Sequence, residues 1–237
     1  MTGILLGGGF GTRLAPITKI VNKHILPVFD RPMIYYPLQT LIDSGVTKII
    51  VICGKPFDKQ IKTIIEHFPN KDQIEYSFVT QPGPLGMADA IKRCKQIVRN
   101  DNIIVIAGDN IYGKDFKEEV DHFKEGAMSF LRKVSDPQRF GVPVFEDGKL
   151  INIEEKPSNP QTNWVVTGPH FFDSNVFKHI KRLKPSARGE LEITDLNNLY
   201  LKQGLFSLKK RRDYWTDTGT FEALFLASLK IRRMRFK

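Results

Sequence analysis

Four glycines in five positions, Gly7-Gly8-Gly9 and Gly11, followed by Thr12 and Arg13, are the residues of this chain best suited to holding a bulky anion. Glycines let the main chain bend tightly and approach a ligand closely, and free N–H groups in such a loop form an anion cradle. Thr12 adds a hydroxyl, Arg13 a planar cation suited to phosphate, and Lys19 and Lys23 follow. The run lacks the Gly-Lys-Ser/Thr ending of a Walker loop and fits the dinucleotide fingerprint only with its last position relaxed, so a purely structural turn is the competing reading.

Three further places carry acids. Gly108-Asp109-Asn110 reads as an Asx-type turn or as a carboxylate that could hold Mg2+ with substrate phosphates. Asp217, in Trp215-Thr216-Asp217-Thr218-Gly219, could cap a helix starting near Thr220 or complete a metal site with Asp109. Glu154-Glu155-Lys156-Pro157 pairs a cation with a carboxylate, which suits a sugar phosphate or is a surface ion pair worth little; strand alternation separates Glu155 from Lys156 unless the chain bends there, as Pro157 encourages. The five histidines show no metal-ligand spacing, and nothing suggests a covalent nucleophile.

The elements that must position these residues alternate. An apolar run at Ile4-Leu5-Leu6 reads as a strand leading into the glycines. Helical spacing covers 33–44, 57–68 and 86–98, and strands are expected at 48–53, 74–80 and 102–107. That alternation argues for a doubly wound, mostly parallel sheet with ligands at the carboxyl ends of its strands, where the glycine loop, Gln81 and Asp109 all fall. The second half changes rhythm: strands at 127–134, 141–146, 150–155 and 164–172, with a turn at Asp147-Gly148, then helices at 176–183 and 191–203. No linker, repeat or low-complexity segment interrupts the chain, so residues 1–237 read as one domain, with 1–113 the nucleotide-binding half and 114–237 the sugar-phosphate half.

With 237 residues and 41% hydrophobic content, a sizeable core is available. No run is long enough for a membrane span and no secretory signal is seen, so no membrane insertion is expected. The two cysteines, Cys53 and Cys94, suggest a reducing compartment and a cytoplasmic location. Part of the formal net charge of +10 comes from local clusters, Lys209-Lys210-Arg211-Arg212 and Lys230, Arg232, Arg233, Arg235 and Lys237. It suits anionic substrates, and since no reading module accompanies it, nucleic acid is not an expected partner.

Taken in order, Gly8-Gly9-Phe10-Gly11-Thr12-Arg13-Leu14, Asn22-Lys23-His24, Pro32-Met33-Ile34-Tyr35-Tyr36-Pro37, Gln81-Pro82, Gly108-Asp109-Asn110, Glu154-Glu155-Lys156-Pro157, the run from Lys184 to Asp195, and Trp215 to Gly219 resemble the sugar nucleotidyltransferase family, in its glucose-1-phosphate thymidylyltransferase branch of the shorter form. The resemblance covers nearly the whole chain. It implies a Rossmann-like α/β fold, a mixed and mostly parallel sheet flanked by helices with a small antiparallel lid on the sugar side. It implies transfer from dTTP, or UTP, to a sugar 1-phosphate, assisted by Mg2+, in a homo-oligomer.

The resemblance also assigns roles. Leu6, Gly8, Gly9, Gly11, Thr12, Arg13, Lys23, Gln81, Pro82, Gly86 and Asp109 would bind the nucleotide, with Gln81 reading the base through its paired donor and acceptor. Gly141, Glu155, Lys156, Val166 and His170 would bind the sugar phosphate. Asp109 and Asp217 would hold Mg2+, and Arg13, Lys23 and Lys156 would be catalytic. Departures from the pattern are Gly7 for Ala, Phe10 for a small or polar residue, and Ala107, Met87 and His170 for two leucines and a tyrosine near the sugar. The chain stops soon after Ala227, without the extra C-terminal helices that build a regulatory nucleotide site in the long form.

Overall fold

The computed structural model describes residues 1–69 and 73–236, so Lys237, the last of the terminal cations, lies outside the described residues. The chain forms two compact units, each assembled from separate segments. One, the loop unit, comprises Thr2–Pro84, Ile106–His122 and Asp213–Lys237; the other, the hairpin unit, comprises Met1, Leu85–Val105 and Phe123–Arg212. The hairpin unit takes Leu85–Val105 with the later strands, and the loop unit takes the C-terminal segment with the earlier ones.

In the loop unit, β1 (Thr2–Gly7), β4 (Lys48–Gly54) and β5 (Glu75–Gln81) pair in parallel, Thr2 against Lys48 and Lys48 against Glu75. The middle strand, buried at Ile49–Cys53, reads as a continuous apolar run because both its faces are covered. Helices α1 (Tyr35–Asp43) and α2 (Asp58–Glu66) follow β1 and β4. A two-residue pair, β2 (Pro27–Val28) and β3 (Arg31–Pro32), and a second small pair, β7 (Asn110–Tyr112) with β13 (Trp215–Asp217), escape sequence expectation. So does helix α5 (Lys117–His122). The unit ends in α8 (Phe221–Arg235), whose N-cap is Thr220, its hydroxyl accepting the Ala223 N–H; Asp217 therefore sits in β13 and does not cap this helix.

In the hairpin unit, β6 (Ile103–Ala107) contributes Ile103–Val105 to antiparallel pairing with β11 (Trp164–Phe172). Strand β11 also pairs antiparallel with β8 (Ala127–Lys133) and β9 (Gly141–Glu146), and β9 with β10 (Lys149–Glu155), closing the hairpin at Asp147-Gly148. Both turn residues have positive φ, as a tight hairpin demands. Strand β12 (Phe206–Lys210) runs parallel to β8. The expected helix 86–98 is broken at Cys94 into α3 (Met87–Arg93) and α4 (Lys95–Val98). The helix expected at 176–183 is the shorter α6 (Val176–Ile180), and that expected at 191–203 is α7 (Ile193–Leu201), which starts later because Leu191 is engaged in main-chain bonds with Leu85 and Ala88. The fold is of the expected class, mixed α/β with helices flanking the sheet; the antiparallel pairs β6–β11, β8–β11, β9–β11 and β9–β10 belong to the hairpin unit, and the loop unit adds the two small antiparallel pairs β2–β3 and β7–β13.

The cysteines are free and buried, and burial pushes both thiols up to about 12, which makes them inert. The basic clusters find local partners: Lys210 lies over the Trp164 ring, Arg211 over Phe130, and Arg235 pairs with Asp30. Arg232, Arg233 and Arg235 occupy the last turn of α8, where cations oppose the helix dipole favourably. Among the described residues no helix is long and apolar enough to cross a membrane.

Candidate active site

Strand β1 delivers the glycine run at its carboxyl end, and the chain then turns through Gly11, at φ 64, into a short 3-10 turn over Thr12–Leu14. A side-chain carbon at Gly11 would stand 2.8 Å from Lys23 Cβ, so the left-handed turn and the closeness of Lys23 both require glycine here. Thr18 Oγ1 donates to Gly11 O at 2.8 Å and Asn22 Nδ2 to Gly7 O at 3.2 Å, fixing the loop from beneath. Gly9, Phe10, Thr12 and Arg13 remain exposed. Leu6, just ahead of the glycines, is half-buried and its carbonyl accepts from Gly108 N at 2.9 Å.

Lys23 runs under this loop, and Gly9 approaches its ammonium group: a carbon added at Gly9 would lie 3.3 Å from Nζ. The same Nζ donates to Asp109 Oδ2 at 2.5 Å, and Asn110 Nδ2 donates to Oδ1 at 3.0 Å. Burial alone would raise the Asp109 carboxyl, but Lys23 and these hydrogen bonds hold it well below the usual carboxylate range. Asp109 is thus an ionised carboxylate in a nearly closed place, compensated by one cation.

Thr218 ties Asp109 to the other acid. Its N–H and hydroxyl donate to Asp109 O at 2.9 and 2.7 Å, while Asp217 faces Asn110 across the β7–β13 pair. Asp217 Oδ1 accepts the Gly219 N–H at 2.8 Å, and a carbon on Gly219 would stand 2.7 Å from that oxygen and 2.8 Å from Arg13 Nη2. Gly219 is therefore the point at which the Arg13 guanidinium and the Asp217 carboxylate converge. Gln81, at the end of β5, is buried, with Oε1 3.5 Å from where a carbon on Gly8 would be; Pro82 beside it is exposed. Among the described residues no group of three or more His, Cys, Asp and Glu is assembled for a metal. Mg2+ takes one or two carboxylates beside phosphate oxygens and water, so the donor chemistry of Asp109 and Asp217 suits that ion.

The second cluster lies in the hairpin unit. Strand β10 ends at Glu155, and Lys156 takes the left-handed conformation, φ 46, with its N–H on Phe140 O at 3.0 Å. This is the bend on which the sequence expectation depended. It brings Lys156 Nζ to 3.2 Å from Glu155 Oε1 in place of the opposite face. A strained non-glycine residue is held only where the surroundings over-determine it, commonly at binding sites. Gly141 lies against this group, 3.0 Å from Thr194 Oγ1 at the position of an added carbon, and Val166 pairs directly with Gly141.

Two residues without an expected role complete the cluster. Thr194 Oγ1 donates to Glu155 Oε2 at 2.5 Å, and Arg188 Nη2 bridges Glu155 Oε1 at 2.9 Å and Glu192 Oε1 at 2.8 Å. Their signal was present in Arg188-Gly189-Glu190-Leu191-Glu192-Ile193-Thr194, but sequence spacing does not say which of these polar groups meets Glu155, 33 or more positions away. Gly86 belongs to the hairpin unit too, where it opens α3 beside Leu191. His170 is buried with Nδ1 2.8 Å from Ser129 Oγ and its ring stacked on Phe172.

His24 and His170 share an electrostatic consequence. Burial and the Lys23 charge lower His24 to about 3, and burial lowers His170 to about 4. Unfolded imidazoles titrate near 6.5, so below that pH the unfolded chain gains protons that the folded chain refuses, and stability is lost as pH falls. Between pH 6.5 and 5 each buried ring should withdraw about 2 kcal/mol. Urea unfolding at pH 7 and pH 5 should show this as a lower midpoint in acid, and His170→Gln should remove about half of the difference. Equal stability at the two pH values would rule out buried neutral imidazoles.

A glycine loop backed by Lys23 and Asp109, with a second acid beside Arg13, is the equipment of a phosphate-transferring α/β protein. The chain belongs to the nucleotidyl transferase family, whose pattern it matches over residues 2–234. It is 43% identical over 235 residues to a glucose-1-phosphate thymidylyltransferase of Neisseria meningitidis serogroup A, covering 96% of this chain and 81% of the relative. A glucose-1-phosphate thymidylyltransferase of Xanthomonas campestris pv. campestris is 40% identical over 242 residues, covering 99% and 82%. In solved structures, a Bacillus anthracis protein described as a glucose-1-phosphate thymidylyltransferase, crystallised with sucrose, superposes with a TM-score of 0.90 at 43% identity over 98% of this chain and 95% of that one. A UDP-glucose pyrophosphorylase, at 21% identity and TM-score 0.85, shares the fold.

Proposed function

We propose that this chain transfers the thymidylyl group of dTTP to glucose 1-phosphate or a related hexose 1-phosphate, giving a dTDP-sugar and pyrophosphate. The observation that carries the reading is the Lys23–Asp109 pair directly beneath the glycine loop, an ionised acid and a cation held where a triphosphate would meet the loop amides. In this reading Arg13, Lys23 and the loop N–H groups bind the triphosphate, and Lys156 and Arg188 bind the sugar phosphate. A phosphate oxygen of the sugar 1-phosphate attacks the α-phosphorus. The bond from that phosphorus to the bridging oxygen breaks, and pyrophosphate leaves with the electron pair. No proton has to be removed from an ionised phosphate, which matches the lack of an evident general base or nucleophile. Two polyanions have to meet, so the work of the residues is positioning and charge compensation. Asp109 and Asp217 would hold Mg2+, which supplies Lewis-acid charge neutralisation at the phosphates. Gln81 reads the base edge and Glu155 accepts from sugar hydroxyls.

The test is pyrophosphate release with dTTP, UTP and CTP against several sugar 1-phosphates. Turnover with dTTP and glucose 1-phosphate is expected, and no release from any pair would defeat the reading. Gln81→Ala should then lose its preference for thymine and uracil over cytosine. One buried hydrogen-bonding side chain separates bases by about 1–3 kcal/mol, so the dTTP to CTP ratio of kcat/KM should fall by about 5- to 150-fold. An unchanged ratio would remove Gln81 from base recognition.

A further inference from the structure

Among the described strands β10 is an edge strand, paired with β9 and with no other strand. Ile153 in β10 stands opposite Pro143, which has no N–H to offer, and the N–H and C=O of Ile153 turn instead toward the open side. Both are taken by one side chain: Asn198 Oδ1 accepts the Ile153 N–H at 2.9 Å and Asn198 Nδ2 donates to the Ile153 C=O at 2.8 Å. The amide stands in for the strand that is missing there. Asn198 lies on α7 one turn after Thr194, whose hydroxyl holds Glu155, so one face of this helix grips β10 at two points two residues apart. Lys156, which follows, is held at φ 46.

We infer that Asn198 is a positioning residue for the sugar-phosphate site, pinning the end of the edge strand so that Glu155 and Lys156 converge. The inference rests on the function proposed above. Ile153 is almost fully buried, 2% exposed, so water does not readily replace the amide. Without it, β10 is free to shift against α7, and the strained Lys156 loses part of what over-determines it.

The test compares Asn198→Ala and Asn198→Asp with the unaltered full chain, using pyrophosphate release from dTTP and glucose 1-phosphate with Mg2+, and amide hydrogen exchange over the β10 peptide. In Asn198→Ala the KM for glucose 1-phosphate should rise about tenfold while that for dTTP stays within about twofold. Exchange should quicken in β10 and not in β1 or β4. Asn198→Asp keeps only the acceptor and should behave like Asn198→Ala or fall between it and the unaltered chain. A merely structural role would move both KM values, or the melting temperature alone, and would overturn the inference, as would slow exchange in β10 of the Ala variant. An unaltered chain that releases no pyrophosphate would defeat the proposed function and this inference together, whereas an active chain with an unshifted sugar-phosphate KM in the variant defeats the inference alone.

Discussion

Asp109→Asn is expected to lower kcat/KM for pyrophosphate release by roughly 10³-fold, with Asp217→Asn close behind. The two variants should part company in stability. Asp109 is buried and faces Lys23 Nζ at 2.5 Å, where the Lys23 side chain is itself 12% exposed. An amide at 109 leaves that ammonium without its counter-charge in a place water scarcely reaches, at a cost of about 3–5 kcal/mol. Asp217 is half-buried, and an amide oxygen there can still accept the Gly219 N–H. Asp217→Asn should therefore melt within a few degrees of the unaltered chain. Its activity loss should shrink as Mg2+ is raised, because Asp109 still offers a carboxylate. The measurement is pyrophosphate release across a Mg2+ titration, with unfolding midpoints for both variants. An Asp217→Asn protein as active as the unaltered chain at limiting Mg2+ would remove that residue from the metal site.

The same two acids show what the sequence could disclose and what it could not. Strand β1 and its glycine loop stand out because an apolar run followed by four glycines in five positions marks a strand that ends in a tight turn, whether that turn holds an anion or not. Strand β4 stands out because a parallel strand buried on both faces reads as an unbroken apolar stretch. Strands β7 and β13 carry three residues each and bond to partners about a hundred positions away, so they have no period to detect. Yet it is their pairing, with Thr218 on the Asp109 carbonyl, that brings Asp217 toward Asp109. Spacing alone left Asp217 open between a helix cap and a metal ligand. Thr220 took the cap because its hydroxyl stands at the right place before the first turn of α8.

The hairpin unit was harder to read for a different reason. Periodicity placed β8 to β11 well, since each is long enough to alternate, but it could not say whether Glu155 and Lys156 share a face. The left-handed conformation at Lys156 decides that, and only the preceding-proline position hinted at a bend. Strand β12 was hidden in Phe206-Ser207-Leu208-Lys209-Lys210, where the run of cations draws attention from the alternation of Phe206 and Leu208. Arg188 and Thr194 were within a recognised run, but their contacts with Glu155 depend on how α7 lies along β10, which no local pattern encodes.

Gly86→Ala is expected to destabilise the chain by about 3 kcal/mol or more. Gly86 opens α3 at φ 90 and ψ 165, a region of backbone space that residues with a side chain scarcely enter. Space is refused as well: an added carbon would lie 2.3 Å from Leu191 O and 2.8 Å from both Leu191 C and N, all main-chain atoms that cannot swing aside. Leu191 is itself held on both sides, its N–H on Leu85 O at 2.9 Å and its C=O accepting from Ala88 N at 3.1 Å. Relief would have to break that clamp and displace the segment that carries Arg188, Glu192 and Thr194 to Glu155. Gly83 supplies the comparison, since nothing lies within 4 Å of a carbon added there. Gly83→Ala should leave the unfolding free energy from urea titration within about 0.5 kcal/mol of the unaltered chain. The Gly86 variant should unfold at clearly lower urea, and where it stays folded its KM for glucose 1-phosphate should rise with the loss of the Leu191 clamp. Equal midpoints for the two variants would mean that the Leu85–Ala88 turn yields where its main-chain bonds indicate it cannot.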